Sequence, residues 1–198
     1  MSVDLKSLWR ETFRARWEAA GGHYYQAADR EALGSLLAQA WGELVTGQTL
    51  SGRVVYWVPP AVEDWPWETW LHRAGAQDLF KWDATADMRS RAAACDVGLT
   101  GALWFAAETG TVAIAQGPTM GLLPTVLPPV HLIVVDAASV VPTVQEGLKQ
   151  LQAQGSLPPM LKLISGPSMT ADIEGTLVVG VHGPGKVGVI VYGVGDGG

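Results

Sequence analysis

Cysteine is nearly absent: Cys95 stands alone in 198 residues, so the sequence forms no internal disulfide and cannot by itself supply a four-thiolate iron-sulfur or zinc site. Arginine stops early, every one lying at or before Arg91, and of nine tryptophans only Trp104 lies beyond Trp82. A ligand that needs a bidentate guanidinium fork must take it from Arg53, Arg73, Arg89 or Arg91, from another chain, or do with backbone N–H groups and Lys186. No apolar run approaches the roughly 20 residues of a membrane span, and the start, MSVDLKSLWRETFRARW, reads as a charged amphipathic helix rather than a signal peptide. A cytoplasmic protein is expected. Net charge of -6 and a pI near 5.1 leave no basic surface for a phosphate backbone, which argues against nucleic acid as a partner. GxxxxGK[ST] is missing, HGPGKVG is not a G-x-G-x-x-G opening a helix, and HExxH, HxxxH and paired CxxC do not occur. His23, His72, His131 and His182 are scattered, so neither a nucleotide nor a metal is expected in this chain.

What is present is a chain 48% hydrophobic and 16% charged, with most of its 24 glycines in the second half. That composition suits one globular domain, read as a helical N-terminal segment over 1–50 and an α/β core over 51–198. In the first segment Leu5, Leu8, Trp9, Phe13 and Trp17 share a helical stripe that Gly21-Gly22 stops, and Leu33, Leu36, Leu37, Ala40, Trp41 and Leu44 form another. Arg53–Val58 is β-branched and aromatic between Gly52 and Pro59-Pro60, hence a strand. Trp65, Trp67 and Trp70 crowd one stretch and mark either a binding surface or a loop pinned to the core. Gln77–Trp82 suits a short edge strand, a helix capped by Asp83 runs to Cys95, Asp96–Thr100 is a strand, and Thr100 is placed to cap a helix over Gly101–Ala107. Val130–Val135 is apolar enough for the middle of a parallel sheet covered on both faces. Leu161–Ile164 and Val187–Tyr192 follow as further strands. Strands alternating with helices predict a three-layer α/β/α domain with a mostly parallel sheet.

Candidate chemistry gathers in Ile164–Tyr192, ISGPSMTADIEGTLVVGVHGPGKVGVIVY. Gly166-Pro167-Ser168 follows one apolar run and Gly183-Pro184-Gly185 precedes the next, and strand ends are where α/β proteins place ligands. Ser168, Thr170 and the turn N–H groups can donate to a small anionic ligand while Asp172 or Glu174 acts as acid, base or hydroxyl-binding group. Equally, Ser168 or Thr170 can cap a short helix whose dipole the carboxylates complement. His182 suits proton transfer or a hydrogen bond fixing its turn. Glu108, at the tip of the Glu108-Thr109-Gly110 turn, suits a nucleophile, a base or an acceptor for loop N–H groups.

VGLTGALWFAAETGTVAIAQ, LPPVHLIVV and ISGPSMTADIEGTLVVGVHGP, in that order, resemble the LUD domain of the bacterial lactate utilization protein C family. The resemblance covers roughly the second half of the chain and implies a NagB/RpiA/CoA-transferase-like α/β fold. It also implies a non-redox role beside iron-sulfur partner proteins that oxidise L-lactate to pyruvate, with the clusters on those partners and no cofactor in this chain. In CoA transferases of related fold the Glu of an E-x-G turn is the nucleophile, which by analogy directs attention to Glu108, with Thr109 and Gly110. The chain departs from the family pattern at Met169, where GPSxTADIE usually carries arginine, and in the Gln116–Pro129 loop, where Gly-Pro-Thr-Met-Gly-Leu replaces a basic residue before Leu-Pro. The alternative of another class is a stand-alone enzyme or binder for a small acyl, sugar-phosphate or folate-like ligand.

Overall fold

The apolar run at Val130 becomes the strand on which the others are hung. In the computed structural model, which describes residues 4–45, 51–83, 87–116, 121–155, 157–171, 177–180 and 182–194, β7 (Val130–Asp136) is buried along all but its last residue. It pairs in parallel with β12 (Lys186–Tyr192) on one side and β4 (Val97–Gly101) on the other. Outward from these lie β1 (His23–Ala27) beside β12, and β2 (Arg53–Trp57) and β3 (Asp78–Lys81) beyond β4, all parallel, in the order β1-β12-β7-β4-β2-β3. Both faces are covered, which is why the central strands are apolar without alternation.

On one face Val54, Tyr56, Val97, Leu99, Leu132, Val134 and Ile190 pack against α2 (Arg30–Val45) and α3 (Trp67–Ala74). The tryptophans before and within α3 belong to this packing. Trp67 and Trp70 are buried, Trp67 Nε1 donates to Val62 O at 2.6 Å, and Trp65 stacks on Trp67 at a centroid distance of 6.0 Å. They pin the loop to the core.

The other face carries α1 (Leu5–Ala19), α4 (Met88–Ala93) and a second sheet. That sheet, in the order β8-β5-β6-β9, comprises β5 (Trp104–Ala106), β6 (Thr111–Gln116), β8 (Val140–Val141) and β9 (Met160–Ile164), with α5 (Val144–Ala153) on its far side. A separate hairpin pairs β10 (Met169–Ala171) with β11 (Leu177–Val179). The α/β class and mostly parallel sheet are as expected, but three local readings change. The segment 1–50 also contributes β1, an edge strand between its two helices. Gly101–Ala107 is no helix: the Thr100 hydroxyl pairs with His131 instead of capping, and Trp104 and Ala106 face α5 while Phe105 faces α1, a period of two. β9 leaves the parallel sheet and runs antiparallel to β6.

Candidate functional site

Alternation along β7 sends Val130, Leu132 and Val134 toward α2 and sends Ile133 and Val135 toward the second sheet, so His131 shares the second face. At its level in the register stand Val187 of β12 and Gly98 of β4. A side chain at Gly98 would collide with the Pro124 carbonyl, so glycine is what lets the 3-10 turn Leu123–Thr125 close onto the sheet here. Across the gap β9 presents Lys162, whose Nζ donates to Thr125 O and to Thr125 Oγ1, both at 2.9 Å. Thr125, His131, Lys162 and Val187, with Ile164, Ser165, Gly166, Ser168, His182, Gly183 and Pro184, line a cavity of about 230 Å³. It lies at the amino ends of β7 and β12, not at the carboxyl ends where ligands usually bind in open parallel sheets.

His131 is fully buried. Its Nε2 lies 2.8 Å from Thr100 Oγ1, and its Nδ1 has no hydrogen-bond partner among the described residues. Burial, with the Lys162 charge adding to it, lowers its pKa to about 3, so the ring is neutral at pH 7. Burial likewise lowers the Lys162 ammonium to about 8, which leaves it mostly charged at pH 7. No carboxylate pairs with Lys162 among the described residues. Among the described residues the cavity thus brings the Lys162 ammonium near a neutral imidazole whose Nδ1 is unmatched.

The two turns singled out in the sequence meet. Ser168 N donates to Pro184 O at 2.9 Å and Gly180 N to Ser168 O at 2.8 Å, so Gly166, Ser168 and Gly183 share one wall. His182 lines the rim and is exposed. Glu108 is exposed at the β5–β6 turn, its N–H donating to Pro142 O at 3.0 Å, and it is not among the residues lining the cavity. Its turn is nonetheless linked to the wall by hydroxyls: Thr109 Oγ1 lies 2.6 Å from Thr111 Oγ1, which lies 2.8 Å from Ser165 Oγ. Gly110 has a packing reason, since at φ +62° a Cβ would stand 2.7 Å from Arg16 Cβ and 2.9 Å from Trp17 N of α1. Thr170 places its backbone in β10 opposite Val178. Asp172 and Glu174 lie outside the described residues. Met169 is exposed in β10. Lys162, His131 and Thr125 were not among the candidates. The signal available was a single lysine within MLKLI and a single histidine within VHLIVV, polar groups in strands otherwise apolar.

Among the described residues no three His, Cys, Asp or Glu side chains are grouped to hold a metal ion, and no helix is long and apolar enough to cross a membrane. Cys95 is buried, and burial pushes its thiol up to about 11. One inert thiol does not fit a cluster ligand set.

The model of the LUD domain family matches residues 10–192. Lactate utilization protein C of Halalkalibacterium halodurans is 33% identical over 137 residues, covering 66% of this chain and 58% of that protein. The protein of the same name from Macrococcus caseolyticus is 37% identical over 122 residues, 59% of this chain and 53% of that one. The Bacillus subtilis counterpart is 33% identical over 135 residues, 65% and 53%. The matches therefore span little more than half the length of these relatives. The crystal structure of a DUF162 family protein from Deinococcus radiodurans shares the fold, with a TM-score of 0.62, 23% identity, and coverage of 95% of this chain and 98% of that one.

Proposed function

The chain belongs to the LUD domain family, and from that premise we propose that it is a cytoplasmic, non-redox component of an L-lactate oxidation system of the lactate utilization protein C kind. Iron-sulfur proteins are its partners in this reading and carry the electrons from lactate to pyruvate. The observation that carries the proposal is the run of relatives at 31–37% identity that bear the lactate utilization name. The single buried cysteine is consistent with clusters housed elsewhere. Deletion of the gene is expected to impair growth on L-lactate but not on glucose, and the tagged protein is expected to co-purify with cysteine-rich, iron-containing proteins. Normal growth on L-lactate together with a solitary protein would sink the proposal.

The cavity favours a second reading, a small-ligand binder or enzyme. Its walls join the turns at Gly166–Ser168 and Gly183–Pro184 to a lysine without a counter-ion among the described residues. In this reading Ser168, His182 and the turn backbone contact the ligand, and Glu108 is connected to it only through Thr109, Thr111 and Ser165. A metabolite screen followed by thermal unfolding tests it. A ligand whose effect survives Ser168→Ala and His182→Ala without change would exclude those contacts.

A further inference from the structure

We infer that this chain forms a symmetric dimer in which β9 of one copy pairs antiparallel with β9 of the other, joining the two four-stranded sheets into one.

β9 is the open edge of the sheet β8-β5-β6-β9, with β6 as its strand partner among the described residues. A free edge leaves the N–H and C=O groups of alternate residues unpaired, and sheets ordinarily blunt such edges with charge, proline, shortness or a cover. The other edges of the two larger sheets are blunted in these ways. β3 begins with Asp78 and ends with Lys81, which pair with Arg53 at 3.4 Å and with Glu63 at 2.6 Å. β8 is two buried residues, and β1 places His23 and Gln26 at the surface. β9 lacks these devices. Lys162, its one charged residue, directs its Nζ to Thr125, and Pro158 and Pro159 precede the strand without interrupting it. Ile164 packs with α1 while Leu161 packs toward α5, so alternation places Leu163 with Leu161 on the α5 face. Leu163 is 45% exposed, and Met160 and Leu157, at and before the start of the strand, are 55% and 62% exposed.

Charge identifies the occupant. Between Val141 and Ala171 the only charged residues are Glu146, Lys149 and Lys162. The first two pair with each other at 3.9 Å and the third is tied to Thr125, so the chain's net charge of -6 is carried elsewhere. A different protein recognised by electrostatic complementarity would meet charged groups on this edge. A two-fold contact instead sets each residue against its own kind, and an acidic chain meets its copy without repulsion only through an uncharged surface. A register with Lys162 opposite its copy would put like charges face to face, and one centred on Leu161 would draw in prolines that have no N–H to give. Centring the two-fold on Leu163 avoids both. Ile164 and Ser165 of the same strand also line the cavity, so the added strand would brace that wall.

The test measures the molar mass of the whole chain by sedimentation across the micromolar range, at low and at high salt. A dimer is expected, with a micromolar dissociation constant because the paired edge is short, and little changed by salt because no ion pair joins it. Leu163→Lys sets like charges opposite each other and is expected to weaken dimerisation at least about tenfold with an unchanged circular dichroism spectrum. Leu5→Lys, which replaces an exposed leucine of α1, should leave it unchanged. Facing Cα atoms in an antiparallel pair lie about 4.5–5.5 Å apart, within the roughly 4.4–6.8 Å of a disulfide. Leu163→Cys should therefore cross-link to its own copy under mild oxidation, and the buried Cys95 adds no background. Should Leu163→Lys misfold, this cross-link decides. A chain that stays monomeric throughout, a dimer that survives Leu163→Lys, or a dimer in which Leu163→Cys does not cross-link overturns the inference.

Discussion

His131 and Lys162 titrate outside their ordinary ranges for the same reason, and the consequence for stability can be signed. The folded His131 has a pKa near 3 against an ordinary 6.5, so between those values the unfolded chain binds a proton that the folded chain does not. Its contribution is therefore fully present above pH 6.5 and is lost as pH falls toward 3, by up to about 1.4 kcal/mol per pH unit. Urea unfolding of the wild type and of His131→Gln from pH 7 to 4.5 should show a steeper decline in the wild type. Parallel declines would mean that the ring finds a way to charge. Lys162, lowered to about 8, works in the opposite window: above pH 8 the unfolded chain still holds the proton that the folded one gives up. Stability should thus rise between about pH 8 and 9.5 in the wild type relative to Lys162→Met. The window closes near 10, where the tyrosines take over. Tyr24 and Tyr192, pushed up to about 12 by burial, make the folded state lose stability as pH climbs past their unfolded value.

At the scale of elements, the site exists because one turn can reach the sheet. Gly98→Ala would put a methyl group into the Pro124 carbonyl, and neither backbone can yield cheaply, since β4 is held on both sides. The expected cost is about 1–3 kcal/mol in chemical unfolding. Because Thr125 rides on that turn and holds Lys162, the lysine should become more hydrated in Gly98→Ala and its pKa should climb back toward 10.5, measurable by NMR. A variant with wild-type stability and an unmoved lysine would refute this account of Gly98. The parallel strands were legible because β7 and β12 are continuous apolar runs, and the turns at Gly166 and Gly183 because glycine and proline punctuate so strongly. β1, HYYQA, was not, being a short edge strand with polar residues among its aromatics. Nor was β5, whose run LWFAA suits either period until Phe105 and Trp104 are seen to face opposite ways. Lys162 and His131 escaped because 31 residues and a change of sheet separate them. Each alone is one polar residue in an apolar strand, and only stacking β9 over β7 makes them a site.

Across the whole molecule the cavity is backed by the same core that fastens the beginning of the chain to its end. Phe13 and Trp17 of α1 are fully buried in a cluster with Phe105, Ile133, Ile164 and Val187, and the last two also line the cavity. Trp17 Nε1 donates to His23 O at 2.9 Å, joining α1 to β1, and β1 completes the sheet edge against β12. Helix, edge strand and cavity wall should therefore unfold together, with tryptophan fluorescence and far-ultraviolet circular dichroism reporting one coincident transition. Trp17→Ala removes the largest buried side chain of this cluster and leaves the His23 carbonyl without its donor, so it should cost about 3–5 kcal/mol. The same variant should weaken ligand binding in the cavity although Trp17 does not line it, because Ile164 and Val187 lose the packing behind them. A cost below about 1 kcal/mol, or a split transition in which α1 melts first while binding is unchanged, would mean that the helix is an appendage rather than the wall on which the site is built.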